Sequence, residues 1–159
     1  MIMTISSNTI PLDDKVKNSL RTFFSSVTIL ADNEIIRSSK YSADIAEFIC
    51  SKFYDLELCK NQRQVGFDAL DIDKRKVQIK INNSSKKTNQ SIGDKKQYDD
   101  LYLLVTSNSL LFNQSFNKAF LLLYKIPAST IIGDKYIAKT FIQTLTPDLK
   151  LDENFDIIK

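Results

Sequence analysis

Residues 65–82 read VGFDALDIDKRKVQIKIN, and the rest of the chain is best understood starting from this stretch. Two short runs rich in β-forming residues, 65–72 and 76–82, lie on either side of the turn-forming segment 73–75. Apolar and polar residues alternate in the second run, so its odd-numbered side chains share one face and its even-numbered side chains share the other. This pattern predicts a β-hairpin with one apolar face.

Three polar residues interrupt the apolar runs of this hairpin. Asp68 lies in the first strand, and Gln78 and Lys80 lie in the second. With a three-residue turn Asp68 lies directly opposite Lys80, whereas a register two residues away sets Asp68 opposite Gln78. In both registers the three side chains share one face, with cross-strand neighbours about 5 Å apart. The alternative interpretation is a surface hairpin whose Asp68–Lys80 ion pair has no function.

The chemistry of these three side chains fits the hydrolysis of a phosphodiester bond. Mg²⁺ prefers oxygen ligands, and the hairpin offers the Asp68 carboxylate, the Gln78 amide oxygen and the backbone carbonyl of Ile79. An ammonium group beside the metal, that of Lys80, can orient the attacking water and stabilise charge that develops on the phosphate. We therefore expect a metal-dependent site at the hairpin.

The remaining chain is expected to complete one α/β domain over residues 1–159 with a mixed sheet. Apolar periodicity and turn residues predict, in chain order, helices over about 11–30 and 42–54, the hairpin, a mobile polar loop over 83–97, strands near 99–106 and 117–126, a short helix near 127–132 and a last extended segment near 136–145. Pro11 is expected to open the first helix, and Ser42 is the predicted N-cap of the second.

Apolar stripes on the two helices predict their packing. In the second helix the expected buried stripe is Ile45, Phe48, Ile49 and Phe53, with Ala43, Ala46 and Cys50 beside it. The first helix carries Leu20, Phe23 and Phe24, which is more apolar surface than its own packing requires. This surplus predicts that the first helix contributes to a homodimer interface.

Composition excludes several classes of protein. The chain has no histidine, which excludes HNH nucleases, Ser-His-Asp hydrolases, HExxH proteases and His-ligated zinc or haem sites. Its three glycines are too far apart for a phosphate-binding glycine loop. Cys50 and Cys59 match no metal-ligand spacing and are expected to be reduced thiols. No apolar run approaches the ~18 residues of a membrane span and no signal peptide is recognisable, so we expect a cytoplasmic protein with no membrane contact.

Positive charge is concentrated around the hairpin. Residues 60–96 hold ten basic and four acidic residues, a net charge of +6, whereas the rest of the chain has a net charge of −3. Such a segment fits a protein that binds a phosphate backbone. It equally fits a solvated lysine-rich loop.

Asp68, the hairpin and the segment Gln78-Ile79-Lys80 together resemble the PD-(D/E)XK restriction-endonuclease-like superfamily, in its Gln-x-Lys variant. The resemblance is strongest over residues 40–82. This part of the chain is similar to small uncharacterised bacterial members of the superfamily. Glu47, on the helix before the hairpin, matches the glutamate that this superfamily often contributes, and Asp44 on the same helix is the alternative.

Two positions depart from the superfamily's commoner pattern. Gln78 stands where an acidic residue is usual, which removes one negative charge from the site. Phe67 stands where proline often precedes the first aspartate. The resemblance implies a restriction-endonuclease-like core, a mixed β-sheet flanked by helices.

The function that the resemblance implies is that of a metal-dependent DNA endonuclease, such as a small type II restriction or defence enzyme. Its catalytic residues would be Asp68, Gln78, Lys80 and Glu47. Mg²⁺, with Mn²⁺ as a substitute, would be bound by Asp68, Gln78, Glu47 and the Ile79 carbonyl. The residues expected to bind DNA are Lys74, Arg75, Lys86, Lys87, Lys95 and Lys96. The alternative is an inactive DNA-binding or protein-interaction module that retains the fold.

Overall fold

The computed structural model describes residues 12–35, 40–60 and 66–159, and it is a mixed α/β structure. Its helices and strands are α1 (Asp14–Asp32), α2 (Lys40–Tyr54), β1 (Glu57–Leu58), β2 (Ala69–Leu70), β3 (Lys76–Asn82), β4 (Asn89–Ser91), β5 (Asp100–Thr106), β6 (Leu121–Pro127), β7 (Tyr136–Ala138), α3 (Lys139–Gln143) and β8 (Leu149–Leu151). None of the described helices is long and apolar enough to cross a membrane.

The main sheet has six strands in the order β1-β2-β3-β5-β6-β8. β3 and β5 are parallel and every other neighbouring pair is antiparallel, which confirms the expected mixed sheet. Residues 83–99 connect the two parallel strands, and this connection contains β4 and no helix. β4 pairs with β7 in a separate two-stranded sheet, called the β4–β7 ribbon below.

The sheet separates two apolar clusters. The first cluster joins α1 and α2 to one face of the sheet, where β5 contributes Tyr102 and Leu104. The second cluster covers the opposite face, where β5 contributes Leu101, Leu103 and Val105 and the ribbon and α3 lie above them. The nearly continuous apolar run of β5 follows from this position, because the strand is buried on both faces.

The first helix packs against its own chain. The Asp13 carboxylate caps the helix by accepting a hydrogen bond from the Val16 N–H at 2.8 Å. Leu20 and Phe24 are buried in the first cluster and Phe23 packs against it. Leu20, Phe23 and Phe24 therefore do not form the expected surplus apolar surface, whereas Ile29 of the same helix is 60% exposed, and the homodimer stays a prediction. Pro11 lies outside the described residues.

The second helix begins earlier and is rotated relative to the prediction. It starts at Lys40, so Ser42 lies inside the helix rather than at its N-cap. Ala46 and Cys50 are fully buried alongside Ile49 and Phe53, whereas the predicted stripe residues Ile45 and Phe48 are only partly buried. The helix thus presents both small and large side chains to the core, and Glu47 beside them is partly buried.

The hairpin turn is longer than expected. Ala69 pairs with Val77 and Leu70 with Lys76, so five residues, 71–75, connect the strands instead of three. The buried Asp71 closes this turn, because its carboxylate accepts hydrogen bonds from the N–H groups of residues 73 and 75 at 2.8 and 2.9 Å. The register is the alternative one, in which Asp68 lies toward Gln78 and not opposite Lys80.

Two further expectations along the chain are wrong. Residues 83–97 are not a featureless loop, since they contain β4 and the fully buried Ile92, whose carbonyl accepts a hydrogen bond from the Tyr98 hydroxyl. The segment 136–145 divides into β7 and α3. A 3-10 turn at Ala128–Thr130 matches the expected short helix. β1 and β8 were not predicted, and the expected strand start at Val65 lies outside the described residues.

Candidate functional site

Asp68 is held rigidly at the point where the hairpin strands separate. Its backbone N–H donates to the Val77 carbonyl at 2.8 Å, and its carbonyl accepts from the Cys59 N–H at 2.9 Å. Its side chain is fixed as well, because one carboxylate oxygen accepts a hydrogen bond from the Ile79 N–H at 2.8 Å. These three bonds tie Asp68 to both neighbouring strands and set the direction of its carboxylate.

Beyond the end of β2, the Asp68 carboxylate accepts the hydrogen bond from β3 that a neighbouring strand would otherwise accept. β2 pairs only with residues 76 and 77, so its ladder ends before Ile79. The Lys76 carbonyl points toward β5, where it accepts from the Asp99 N–H. Because backbone groups alternate in direction along a strand, the N–H and carbonyl of Ile79 both point the other way, toward Asp68. The carbonyl predicted as a metal ligand therefore faces the same edge as the carboxylate.

Glu47 on α2 lies within electrostatic range of Asp68. Partial burial raises the pKa of the Glu47 carboxyl, and the negative charges of Asp68 and then Asp44 raise it further. Burial raises the thiol pKa values of the free cysteines Cys50 and Cys59, and the negative charges of Glu47 and Asp68 raise them further. Glu47 and the two thiols thus all lie within electrostatic range of Asp68.

Lys80 also interacts with Asp68. Burial raises the pKa of the Asp68 carboxyl, while the Ile79 N–H and the Lys80 ammonium group oppose this change, and the pKa remains above its usual value. A carboxylate with a raised pKa near a second carboxylate has too little positive charge around it to compensate for burial and repulsion. One ammonium group does not compensate fully for the burial of this acid.

The prediction that Asp68, Gln78 and Lys80 share one face of the hairpin is only partly correct. Gln78 and Lys80 share a face of β3, beside Leu101 and Leu103 of the parallel neighbour β5. This is the face opposite α2, which contacts Val77 and Ile79. Asp68 precedes β2, and its carboxylate lies at the sheet edge because it binds a backbone N–H there. Glu47, on α2, therefore lies on one side of the sheet, and Gln78 and Lys80 lie on the other.

The donor atoms are those that a hard cation uses. In the described part of the chain no three His, Cys, Asp or Glu side chains form a metal-binding group. A cation here would depend on the neutral oxygens of Gln78 and Ile79 as well as the carboxylates of Asp68 and Glu47. Oxygen ligands of this mixed kind are typical for Mg²⁺.

The six residues expected to bind DNA fall into two groups. Arg75 forms a two-pronged ion pair with Asp100 at 2.8 and 3.1 Å, and Lys95 donates to the carbonyls of Ile131 and Gly133 at 3.1 and 2.7 Å. Lys74 makes an exposed contact with Glu57 at 3.4 Å. Three others, Lys86, Lys87 and Lys96, are exposed and form no ion pair with any described residue. The structure gives Arg75 and Lys95 structural roles.

Gly66 is a site-forming residue that the sequence analysis did not identify. Its φ angle is +94°, and a β-carbon there would overlap the side chain of Gln97, which comes from the connection between β3 and β5. This close approach packs that connection against the segment leading to Asp68. The available signal was a glycine two residues before the candidate acid, in a chain with only three glycines.

Comparison with known proteins gives no match, either to a protein-family model or to a curated protein.

Proposed function

We propose that this chain is a metal-dependent nuclease that hydrolyses phosphodiester bonds in DNA. The observation that carries the proposal is the position of the Asp68 carboxylate, fixed by the Ile79 N–H and lying within electrostatic range of both Glu47 and Lys80. Partly buried carboxylates that repel each other attract a divalent cation, since the cation relieves both the burial penalty and the repulsion. A lysine beside such a pair is suited to a phosphate substrate.

The proposed cofactor is Mg²⁺, with Mn²⁺ as a substitute. Asp68, Glu47, the amide oxygen of Gln78 and the carbonyl of Ile79 would hold it, and their chemistry fits because all four provide oxygen. When bound, the cation supplies Lewis-acid activation of water and neutralises charge on the phosphate.

The protein's own side chains have separate roles in the proposed reaction. The Lys80 ammonium group stabilises negative charge on the phosphate oxygens and orients the attacking water. The Glu47 carboxylate adds a second negative charge near Asp68 with which to hold the cation. Asp68 is fixed by the backbone and so provides a rigid anchor on which the other groups converge.

The finer proposal is a restriction-endonuclease-like core, acting as a small type II restriction or defence enzyme. It is supported by the order of elements, in which α2 with Glu47 precedes the hairpin with Asp68 and Lys80, and by the mixed sheet. A homodimer would bring two such sites to the two strands of a duplex.

Cleavage of a supercoiled plasmid tests the proposal. The wild-type protein should convert the plasmid to nicked or linear DNA in Mg²⁺ or Mn²⁺, and EDTA should stop the reaction. Asp68→Asn should lose at least about 100-fold in rate, as expected for a group that acts on charge at the reacting centre. The matched control is Asp73→Asn, which changes an exposed aspartate in the hairpin turn and should leave the rate unchanged.

Two outcomes would contradict the proposal. A wild-type protein that binds DNA but cuts none with either cation is the inactive DNA-binding module. An Asp68→Asn variant that cuts at the wild-type rate would remove Asp68 from the reaction.

A further inference from the structure

We propose that the β4–β7 ribbon is a docking surface for single-stranded DNA beside the candidate site. The choice of DNA as the occupant rests on the proposed function. The ribbon pairs Asn89 with Ala138 and Ser91 with Tyr136, and it lies over the second apolar cluster, to which Ile137 belongs.

The outer face of the ribbon carries an exposed aromatic ring. The middle residue of β7, Ile137, is buried at 1% exposure, whereas its neighbour Tyr136 is 54% exposed. Tyr136 lies across from Ser91, a small polar residue that leaves the ring accessible. An aromatic ring fixed on a strand gives an unpaired base a surface on which to stack. A duplex offers such a ring no free base face, so this feature favours a single strand.

Lysines flank both strands of the ribbon in the sequence. Lys135 and Lys139 lie on either side of Tyr136 in the sequence, and Lys86 and Lys87 precede the paired strand β4. Segments 86–96 and 134–139 together hold six lysines and two aspartates, a net charge of +4, whereas the whole chain has a net charge of +3. The ribbon and its flanks therefore carry a net charge of +4, which complements a phosphate backbone, and the rest of the chain carries a net charge of −1.

The ribbon is connected directly to the strand that carries Lys80. The side chain of Asn82 on β3 donates a hydrogen bond to the Gln90 side chain of β4 at 3.0 Å. Asn82 is two residues beyond Lys80 on the same face of β3, a distance of about 7 Å along a strand. The ribbon, with Tyr136 on its outer face, thus lies on the side of the sheet that presents Gln78 and Lys80.

Binding of a fluorescein-labelled 15-nucleotide oligothymidine, followed by fluorescence anisotropy in EDTA, tests this surface. Tyr136→Ala should weaken binding by about 5- to 100-fold, the effect of losing one base stack, and Tyr136→Phe should bind as the wild type. The matched control is Tyr41→Ala, which removes a tyrosine that is 76% exposed on α2 and should change nothing. Replacing Lys135 and Lys139 by Gln should lower the slope of log affinity against log salt concentration by about 0.7 for each lysine.

Three results would overturn this proposal: wild-type affinity in Tyr136→Ala, tighter binding of a duplex than of the single strand, or equal binding of oligouridine. Because EDTA prevents cleavage, the outcome is independent of catalysis. If Tyr136→Ala loses binding while the wild type cuts no DNA in Mg²⁺, the proposed function fails and the docking surface stands. If Tyr136→Ala binds normally while Asp68→Asn loses cleavage, only the docking surface fails.

Discussion

The contact between the Asp68 carboxylate and the Ile79 N–H predicts opposite consequences for two substitutions of the same residue. Asp68→Ala removes an acceptor 2.8 Å from a backbone N–H in a partly buried position. A hydrogen bond to a charged group contributes about 1.5–3 kcal/mol. Loss of the buried charge and of its repulsion with Glu47 offsets part of this, so the free energy of unfolding should fall by about 1–2 kcal/mol.

Asp68→Asn keeps an oxygen acceptor for the same N–H and removes the charge. The weaker neutral hydrogen bond and the relief of burial and repulsion act in opposite directions, so its free energy of unfolding should stay within about 1 kcal/mol of the wild type. Both variants should lose cleavage, which separates the catalytic role of the charge from the structural role of the acceptor.

Thermal denaturation followed by circular dichroism at pH 7 measures this difference. For a chain of this length, 1 kcal/mol corresponds to about 2–4 °C, so Asp68→Ala should melt about 2–8 °C below the wild type. Asp68→Asn should melt closer to the wild type than Asp68→Ala does. An alanine variant with the wild-type melting temperature would refute the structural role of the Ile79 contact.

Three other substitutions test neighbouring parts of the structure. Gln78→Glu should raise the affinity for Mn²⁺ in calorimetry because it adds a negative ligand, and an unchanged affinity would mean that Gln78 does not contact the metal. Because the folded-state pKa of Glu47 exceeds its ordinary value of 4.5, the folded protein binds more protons than the unfolded chain and stability falls as the pH rises through this range. In urea denaturation Glu47→Gln should therefore gain stability relative to the wild type between pH 4 and pH 7, and a constant difference would contradict the raised pKa. Gly66→Ala should lower the melting temperature more than Gly93→Ala. Both glycines have a positive φ, but only at Gly66 does another side chain, that of Gln97, occupy the space that the new methyl group would fill. Equal losses of melting temperature would exclude that contact.

The parts of the fold that follow from local pattern could be predicted from the sequence. The apolar run of β5 indicated a strand buried on both faces, and the alternation in β3 gave its boundaries correctly. The register of the hairpin could not be derived in the same way, because it depends on the side chain of Asp71 binding the backbone of its own turn. β4 was missed since one buried residue, Ile92, holds an otherwise polar segment in the core.

The candidate site was predictable in composition and not in geometry. Residue spacing placed Asp68, Gln78 and Lys80 on one hairpin, whereas the proximity of Asp68 to Glu47 depends on how α2 packs. That helix buries Ala46 and Cys50 together with Ile49 and Phe53, and a periodicity based on large apolar residues wrongly gave Ile45 and Phe48 the same burial. The position of the carboxylate at the sheet edge reflects a single side-chain-to-backbone hydrogen bond, which no periodicity encodes.

The proposed nuclease mechanism is tested most directly by the rate at which Lys80→Ala cuts a supercoiled plasmid in Mg²⁺. Lys80 provides positive charge next to Asp68, and its loss should reduce the rate by at least about 100-fold while the melting temperature is retained. Lys15→Ala, which removes an exposed lysine on α1, should cut at the wild-type rate. A Lys80→Ala variant that cuts as fast as the wild type would contradict the mechanism.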